Sequence, residues 1–399
     1  MLEPKTADAG FPPDTNNRTN NHTGTAPLWS AAVGQGGGLL RSMDIGALTL
    51  EAGGELPGVT LAYECWGTLN GRGDNAVLIE HALTGSTHVS RGDSEEDGWW
   101  EGLVGPGAVI DTDKYFVVCA NMVGGCYGST GPSSIAADGK PWGSRFPFIT
   151  IRDSVQAEAQ LAAQLGIRSW HAVIGGSMGG ARALEWAVSF PAMVQRCAVV
   201  ASCAASTAEQ IALAQAQLLA IVQDPHFAGG DYYDGAAPTA GLGLARRIAH
   251  ISYRSEAEMG ARFGRVAQDD AGTVTAARNV GTGAGLYRVE SYLNHQARKL
   301  VGRFDANSYI AVTEALISHD VARGRGTLQE ALSVTAGVEF LVAAVSSDRL
   351  YFPAQSRELA AALPGKVTWG LIDSPIGHDG FLTEVEAVGE LLQNSLFRG

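Results

Sequence analysis

One serine of this chain lies in a pattern that is typical of a catalytic nucleophile. Ser177 is the central residue of Gly175-Gly176-Ser177-Met178-Gly179, a G-x-S-x-G motif between a strand-like run and a helix-like run. On such a turn the hydroxyl projects from the end of the sheet, and the first amides of the following helix point to the same place. This arrangement suits attack on a carbonyl carbon, because the amides stabilise the oxyanion that forms. The alternative is a glycine-rich turn whose serine has no catalytic role. The presence of suitable partner residues distinguishes the two interpretations.

A serine hydroxyl becomes a nucleophile when a base removes its proton, and the base needs an acid to orient it. In enzymes with a serine on a strand-to-helix turn, the acid and then the histidine follow on loops after later strands. Asp348 comes three residues after an apolar run that ends at Val345, and His378 comes six residues after one that ends at Ile372. We therefore predict that Ser177, Asp348 and His378 form a catalytic triad.

Other acids and histidines fit this triad less well. Glu339 is early in its strand, and Asp373 and Asp379 crowd the base. His22 lies in the N-terminal segment, and His171 begins a strand at the wrong end of the sheet. The histidines of a long helical region are expected to have satisfied structural or surface roles: His226, His250, His295 and His319.

The oxyanion needs two backbone N–H donors in this kind of site. Met178, the residue after the nucleophile, supplies one of them. The second comes from a loop after an earlier strand, and here His81-Ala82-Leu83-Thr84-Gly85 directly follows the apolar run 76–79. We predict that Leu83 is the second donor, with a plain surface turn as the alternative for this loop.

Alternating strands and helices are predicted to position these residues. Apolar runs of strand length, typical of parallel strands that helices cover on both faces, occur at 76–79, 115–119, 171–174, 198–201, 338–345 and 367–372. Runs with helical character occur at 153–166, 181–189, 207–222, 356–363 and 383–396. An antiparallel pair, 48–50 with 59–63, precedes them. The alternation predicts an α/β fold with a mostly parallel central sheet.

The alternation breaks between residues 206 and 324, where the pattern is helical without a clear strand. We predict a helical lid at 206–324, inserted into one core domain made of residues 28–205 and 325–399. Residues 1–27 are polar and rich in Pro, Asn and Thr, and they are predicted to form a disordered tail.

The composition argues against several classes of function. The 28 Lys and Arg residues against 41 Asp and Glu give a net charge of −13, so binding to nucleic acid or to an anionic membrane is not expected. No apolar run approaches the roughly 20 residues of a membrane span, and the N-terminus lacks the apolar stretch of a signal peptide. The 5 cysteines are scattered, which fits a protein of the reduced cytoplasm.

Motifs for metals and nucleotides do not occur in the sequence. It has no His-x-x-His spacing and no clustered cysteines, and neither Gly139-Lys140 nor Gly124-Gly125 lies in a phosphate-binding spacing. We therefore expect no metal site and no bound cofactor.

A set of ordered motifs extends through the chain from about Gly46 to Leu396. They are His81–Gly85, Asn121–Pro132, Phe146-Pro147, Ile151-Arg152-Asp153, Gly175–Gly180, Ala183–Trp186, Ala245-Arg246, Tyr253-Arg254, Ser347-Asp348 and Gly377–Leu382. With these motifs the sequence closely resembles the homoserine O-acetyltransferase family, in its α/β-hydrolase-fold branch. One departure is Ser86-Thr87, where relatives often carry an Asp, and it leaves the donor or acceptor preference open.

The resemblance implies transfer of an acetyl group from acetyl-CoA to the side-chain hydroxyl of L-homoserine, a step towards methionine. The route would be ping-pong, through an acetyl-serine, with acetyl-CoA as a substrate rather than a bound cofactor. The resemblance also implies a homodimer that forms through the lid. Relatives that use succinyl-CoA or L-serine leave those substrates as alternatives, and a plain serine esterase is a further one.

The same resemblance implies roles for three acceptor-binding residues. Arg246 would pair with the homoserine carboxylate and Asp379 with its ammonium group, with Tyr253 in support. A guanidinium and a carboxylate are natural partners for the two charges of a free amino acid. Arg247 is the neighbouring alternative to Arg246. Without a binding role, Arg246 would be an arginine on a helix surface and Asp379 an aspartate that caps a helix.

Overall fold

The computed structural model describes residues 35–267 and 287–398. The predicted tail, residues 1–27, lies outside these residues, as do residues 268–286 of the predicted lid. The strands of the described residues are β1 (Gln35–Gly37), β2 (Arg41–Thr49), β3 (Glu55–Thr68), β4 (Ala76–Glu80), β5 (Val104–Gly105), β6 (Ile110–Asp111), β7 (Phe116–Ala120), β8 (Trp170–Gly176), β9 (Arg196–Val200), β10 (Glu339–Val345) and β11 (Val367–Ile372).

Most of these strands belong to one 9-stranded sheet, in the order β1-β3-β7-β4-β8-β9-β10-β11, with β2 paired to β3. The pairs that involve β3 are antiparallel. In this spatial order, each strand from β7 through β4, β8, β9 and β10 to β11 pairs in parallel with the next. The predicted mostly parallel sheet is therefore confirmed. The short strands β5 and β6 form a separate 2-stranded sheet that the apolar pattern does not predict.

The helices of the described residues include all those that the sequence predicts. They are α1 (Ile151–Gln164), α2 (Met178–Ser189), α3 (Ala208–Val222), α4 (Thr239–Tyr253), α5 (Glu256–Phe263), α6 (Arg288–Val301), α7 (Ala306–Ile317), α8 (Leu328–Ser333), α9 (Pro353–Ala362), α10 (Gly380–Thr383) and α11 (Val385–Ser395). Capping boxes at Thr150 and Thr207 define the starts of α1 and α3. None of the described helices has the length and apolar character needed to cross a membrane.

Both faces of the central strands are buried, as the continuous apolar runs predict. In β4, Val77 belongs to the core cluster on one face and Leu78 to the cluster on the other. Neighbouring strands repeat this alternation, with Val117 and Val118 in β7. Because each face is covered, polar residues are expected only where the parallel strands end, and the candidate site lies at those carboxyl ends.

A buried ionic cluster joins the elements on either side of the G-x-S-x-G turn. The guanidinium of Arg182, on α2, lies 2.7 Å from the carboxylate of Glu80 at the end of β4, and it also pairs with Glu158 on α1. The indole N–H of Trp186 donates to Glu158 at 2.8 Å. Removing one partner of a buried ion pair costs about 3–5 kcal/mol. The cluster therefore holds the start of α2 against the loop that follows β4.

The helices between β9 and β10 form the region predicted as a lid. Its two ends lie side by side: Ser206 N–H donates to the His319 carbonyl at 2.9 Å, and Val321 N–H donates to the Ala204 carbonyl at 2.9 Å. Ala205 and Asp320 form an antiparallel bridge between these bonds. We propose on this basis that residues 206–324 are one insertion in the core domain, as the sequence predicts.

Candidate active site

Ser177 occupies a strained backbone conformation at the junction of β8 and α2. Its φ of 57° and ψ of −125° lie in a region that non-glycine residues rarely adopt. Neighbouring glycines allow the close packing around it. A Cβ at Gly179 would lie 2.0 Å from the carbonyl oxygen of Glu80, and a Cβ at Gly175 would lie 2.1 Å from the carbonyl oxygen of Gly179. These contacts explain why the motif needs glycine on both sides of the serine.

The structure brings the three predicted triad residues together. His378 Nε2 lies 2.8 Å from Ser177 Oγ, and His378 Nδ1 lies 2.7 Å from an oxygen of Asp348. With Nδ1–H donating to the carboxylate, Nε2 is free to accept the serine proton. The ring of Tyr351 stacks on the imidazole at a centroid distance of 5.1 Å, which fixes the plane of the base.

Two loops hold the acid and the base in place. The second oxygen of Asp348 accepts from the amides of Leu350 and Tyr351, at 2.8 and 2.9 Å. In the loop before His378, the Ile376 carbonyl accepts from Ser255 N–H of the inserted region at 3.0 Å. The base is thus positioned jointly by the core and by the inserted helices.

The competing acids have other partners. The carboxylate of Asp373 accepts from the Ser346 hydroxyl at 2.9 Å, and Glu339 forms an ion pair with Lys366. Asp379 pairs with Arg254. Among the carboxylates considered, only Asp348 contacts the His378 ring.

The imidazole of His378 is buried, and its surroundings act on its pKa in opposite directions. Burial lowers the pKa, whereas the charge of Asp348, its hydrogen bond and the charge of Asp379 raise it; the net effect is a pKa above the usual value for histidine. A proton accepted from a nucleophile is therefore held more strongly here than by a free imidazole.

Of the two predicted oxyanion donors, Met178 follows the serine directly and Leu83 lines the same cavity. Met178 is the first residue of α2, where amides have no acceptor within the helix. Leu83 lies in a turn closed by Gly85 N–H donating to the Ala82 carbonyl at 2.9 Å. His81 supports this loop: its Nδ1 lies 2.8 Å from the Ala82 carbonyl, and its Nε2 accepts from Met122 N–H at 3.1 Å.

A cavity of about 110 Å³ opens over the serine. Six of the eight predicted site residues line it: Leu83, Ser177, Arg246, Tyr253, His378 and Asp379. Asp348 lies behind His378, and the side chain of Met178 is buried in the core beneath.

The predicted acceptor-binding residues lie on one side of this cavity. The Arg246 guanidinium is 5.8 Å from the centre of the Tyr253 ring, and that ring is 5.9 Å from the His378 ring. Asp379 pairs with Arg254 at 3.2 Å. The alternative residue, Arg247, donates instead to Asn294 of α6 at 2.7 Å and does not line the cavity.

Several lining residues have no role in the sequence prediction. Lys299 and Arg303 add positive charge to the wall, and Arg303 also donates to the Thr84 carbonyl at 3.0 Å. His250, expected to have a satisfied structural or surface role, is buried in the cavity wall, where its Nδ1 lies 3.0 Å from the Tyr292 hydroxyl. Arg246, His250 and Tyr253 occupy positions i, i+4 and i+7 of one helix, and this spacing is the sequence signal from which a role for His250 could have been predicted.

Comparison with known proteins assigns the fold. A family model described as the alpha/beta hydrolase fold matches residues 75–385. Among solved structures, a homoserine O-acetyltransferase from Bacillus anthracis is similar with a TM-score of 0.81 at 28% identity, covering 90% of this chain and 98% of that one. Esterase E22 is similar with a TM-score of 0.80 at 26% identity, covering 90% and 99%.

Sequence relatives distinguish between an acetyltransferase and an esterase more clearly than the solved structures do. A homoserine O-acetyltransferase of Thermobifida fusca is 55% identical over 355 residues, which cover 88% of this chain and 91% of that protein. One of Mycobacterium tuberculosis is 49% identical over 358 residues, which cover 89% and 92%. These identities confirm the resemblance seen in the motifs. The chain therefore belongs to the homoserine O-acetyltransferase family, a family of acyltransferases with the α/β-hydrolase fold.

Proposed function

We propose that the protein transfers the acetyl group of acetyl-CoA to the side-chain hydroxyl of L-homoserine, with Ser177 as nucleophile. The observation that carries this proposal is the line of hydrogen bonds from Asp348 through His378 to Ser177, which ends in a cavity that also holds Arg246 and Asp379. One cation and one carboxylate beside a nucleophile suit a free amino acid as acceptor. Family membership supports the same reaction.

In the first half-reaction, the Ser177 hydroxyl gives its proton to His378 Nε2 while its oxygen attacks the thioester carbonyl. The tetrahedral oxyanion accepts hydrogen bonds from the amides of Met178 and Leu83. The carbon–sulfur bond then breaks, and the CoA sulfur takes the proton from His378. Free CoA leaves, and Ser177 carries the acetyl group.

In the second half-reaction, the homoserine hydroxyl gives its proton to His378 Nε2 and attacks the acetyl ester. The same two amides stabilise the second oxyanion. The bond between the Ser177 oxygen and the acetyl carbon breaks, and the serine oxygen recovers a proton from the imidazolium. The products are O-acetylhomoserine and the free enzyme. Throughout, Asp348 orients the imidazole and stabilises its protonated form.

We propose that Arg246 binds the homoserine carboxylate and Asp379 its ammonium group, with the Tyr253 ring between Arg246 and the base. The ion pair of Asp379 with Arg254 gives the carboxylate a second partner and orients it. In this proposal both charges of the acceptor are bound at one wall of the cavity, and its hydroxyl is directed to His378.

The likeness to esterase E22 favours a second candidate, hydrolysis of an acyl ester, because an esterase needs the same triad. The two functions differ in what attacks the acetyl-serine. An acceptor bound by two charged groups competes with water by proximity and orientation. The relatives at 49–55% identity favour transfer.

The experiment that separates these functions follows free CoA from purified protein given acetyl-CoA or succinyl-CoA, with L-homoserine, L-serine or no acceptor. We expect sustained CoA release with acetyl-CoA and L-homoserine together, and O-acetylhomoserine as the product. Equal release without any acceptor would identify a hydrolase. Preference for succinyl-CoA or for L-serine would reassign the substrate while keeping the mechanism.

The pH dependence of acylation is predicted from the surroundings of His378. Because Asp348 and Asp379 raise its pKa above the usual value near 6.5, the neutral base is lost already as the pH falls through that raised value. We expect kcat/KM for acetyl-CoA to fall about tenfold for each pH unit below it. The measurement is the rate of the first CoA release between pH 5 and 9.

A control for this profile is His295→Ala, because His295 is an exposed histidine of α6 outside the cavity. Its profile should match that of the unchanged protein. A wild-type rate that stays flat down to pH 5 would contradict the base role of His378, provided that the chemical step limits the measured rate.

Three further parts of the proposal rest on the family resemblance and the composition. We propose that the lid mediates a homodimer, that the small-molecule substrates act without a bound metal or cofactor, and that the protein works in the cytoplasm. None of the 5 cysteines, all of which lie within the described residues, forms a disulfide, which fits a reducing compartment. A molar mass measured in solution tests the dimer.

A further inference from the structure

A buried histidine nitrogen in the cavity wall has no hydrogen-bond partner within the described part of the chain. His250 lies on α4, lines the cavity and is only 4% exposed. Its Nδ1 lies 3.0 Å from the hydroxyl of Tyr292. Its Nε2 has no hydrogen-bond partner among residues 35–267 and 287–398. A buried polar nitrogen left unsatisfied costs about 1–3 kcal/mol, so its place in a substrate cavity calls for a ligand.

Tyr292 determines which nitrogen of His250 carries the hydrogen. The positively charged Arg254 guanidinium lies close enough to the Tyr292 hydroxyl to act on it electrostatically. A neighbouring cation favours the phenol oxygen turned towards it, so the phenol gives its own hydrogen to Nδ1 of His250, 3.0 Å away. Nε2 then carries the ring hydrogen and acts as a donor.

The charge around His250 keeps the ring neutral. Burial lowers its pKa, and the guanidinium groups of Arg246, Arg254 and Arg303 lower it further. A neutral N–H donor surrounded by cations suits an anion. An ammonium group at the same position would be repelled by these arginines.

A second unused donor lies on the same face of α4. Arg246 precedes His250 by one helical turn, and its Nε is also buried without a hydrogen-bond partner in the described part of the chain. The Tyr253 ring, one turn further, lies 5.6 Å from the His250 ring and 5.9 Å from the His378 ring. Both donors therefore belong to one wall, and Tyr253 separates them from the base.

We infer that His250 is a specificity-determining residue, whose Nε2–H binds one oxygen of the acceptor carboxylate while Arg246 binds the other. The carboxylate and the hydroxyl of homoserine lie at opposite ends of the molecule, so a carboxylate held beyond Tyr253 leaves the hydroxyl directed to His378. Tyr292 is a positioning residue, because it acts through the tautomer of His250. The inference rests on the proposed function, since it takes the acceptor to be an amino acid.

The test compares His250→Leu, which has no donor, with His250→Gln, whose side-chain amide keeps a donor at the distal position. For His250→Leu we expect the KM for L-homoserine to rise about 10- to 100-fold, with kcat changed less. His250→Gln should retain a KM within a fewfold of the wild-type value. Tyr292→Phe should raise this KM by a smaller factor than His250→Leu.

Two readouts separate carboxylate binding from a structural role. The first is the burst of CoA release from acetyl-CoA without acceptor, which should be unchanged in His250→Leu. The second is transfer to 3-aminopropan-1-ol, which is homoserine without its carboxylate; wild type and His250→Leu should use it equally poorly. The exposed lid residue His295 provides the matched control, and His295→Ala should leave every readout unchanged.

The outcomes that overturn the inference differ from those that overturn the proposed function. An unchanged KM for homoserine in His250→Leu, equal losses with both acceptors, or a rise only in the KM for acetyl-CoA would each remove His250 from the carboxylate site. If His250→Leu does not fold, the test relies on His250→Gln. A KM for L-homoserine in His250→Gln as high as that of an Arg246→Leu variant would then overturn the inference. Absence of any CoA burst from the wild-type protein would instead reject the proposed function.

Discussion

Replacing Ser177 by alanine is expected to lower kcat/KM for acetyl transfer by about 10⁴-fold or more, because it removes the hydroxyl that is hydrogen-bonded to the base. The Ser177 Oγ lies 2.8 Å from His378 Nε2, so the hydroxyl is both the attacking atom and the source of the proton. The measurement is CoA release with acetyl-CoA and L-homoserine, together with the intact mass of the protein.

The fold should survive this substitution. Alanine at position 177 must adopt the same positive φ, and the protein loses only the hydrogen bond to His378, so we expect the free energy of unfolding to change by about 1 kcal/mol or less. Ser189→Ala, at the other end of α2, is the matched control and should keep full activity. Wild-type turnover by a folded Ser177→Ala protein would contradict the covalent mechanism.

Replacing Asp348 by asparagine is expected to lower kcat by about 10⁴-fold while leaving the fold intact. The carboxylate holds the hydrogen of His378 on Nδ1 through a contact of 2.7 Å. An asparagine amide turned towards the ring would donate to Nδ1, which moves the ring hydrogen to Nε2 and blocks acceptance of the serine proton. Steady-state kinetics with acetyl-CoA and L-homoserine measure the loss.

Asp373 offers the control for this second prediction, because it lies on the loop before His378 but bonds to the Ser346 hydroxyl. Asp373→Asn should stay within a fewfold of wild-type activity. If Asp373→Asn lost activity and Asp348→Asn kept it, the acid of the triad would have to be reassigned.

The triad could be predicted from the sequence because each member lies next to a strong local signal. Ser177 is flanked by the glycines that a tight turn requires, and Asp348 and His378 each follow a strand-length run that consists mainly of apolar residues. The order of the strands in a parallel sheet then brings their carboxyl ends together. The strain at Ser177 is implied by the motif, but its backbone angles are seen only in the structure.

The acceptor side of the cavity was harder to predict, because it depends on α4. This helix contains Gly241 and Gly243, which lower helix propensity, and it follows Pro238 without a capping side chain. Without the helix, the common face of Arg246, His250 and Tyr253 cannot be recognised.

Contacts between segments that are far apart in the chain could not be predicted from the sequence either. Arg254 belongs to one of the sequence motifs of the family. Asp379, with which it forms an ion pair, lies 125 positions later in the chain, on the loop that carries the base. Likewise, Arg303 of the inserted region contacts the loop that holds Leu83. Such pairs depend on how the inserted helices pack on the core, and local spacing carries no signal for that packing.

We propose that an acetyl group passes through Ser177 to L-homoserine, and the most direct measurement follows that group on the protein. Wild-type protein is mixed with acetyl-CoA without acceptor, its intact mass is determined, and L-homoserine or buffer alone is then added. We expect one acetyl group on Ser177, which L-homoserine removes rapidly as O-acetylhomoserine while buffer alone removes it slowly. An unmodified protein during turnover, or an acetyl group lost as acetate at the same rate with and without L-homoserine, would contradict this proposal.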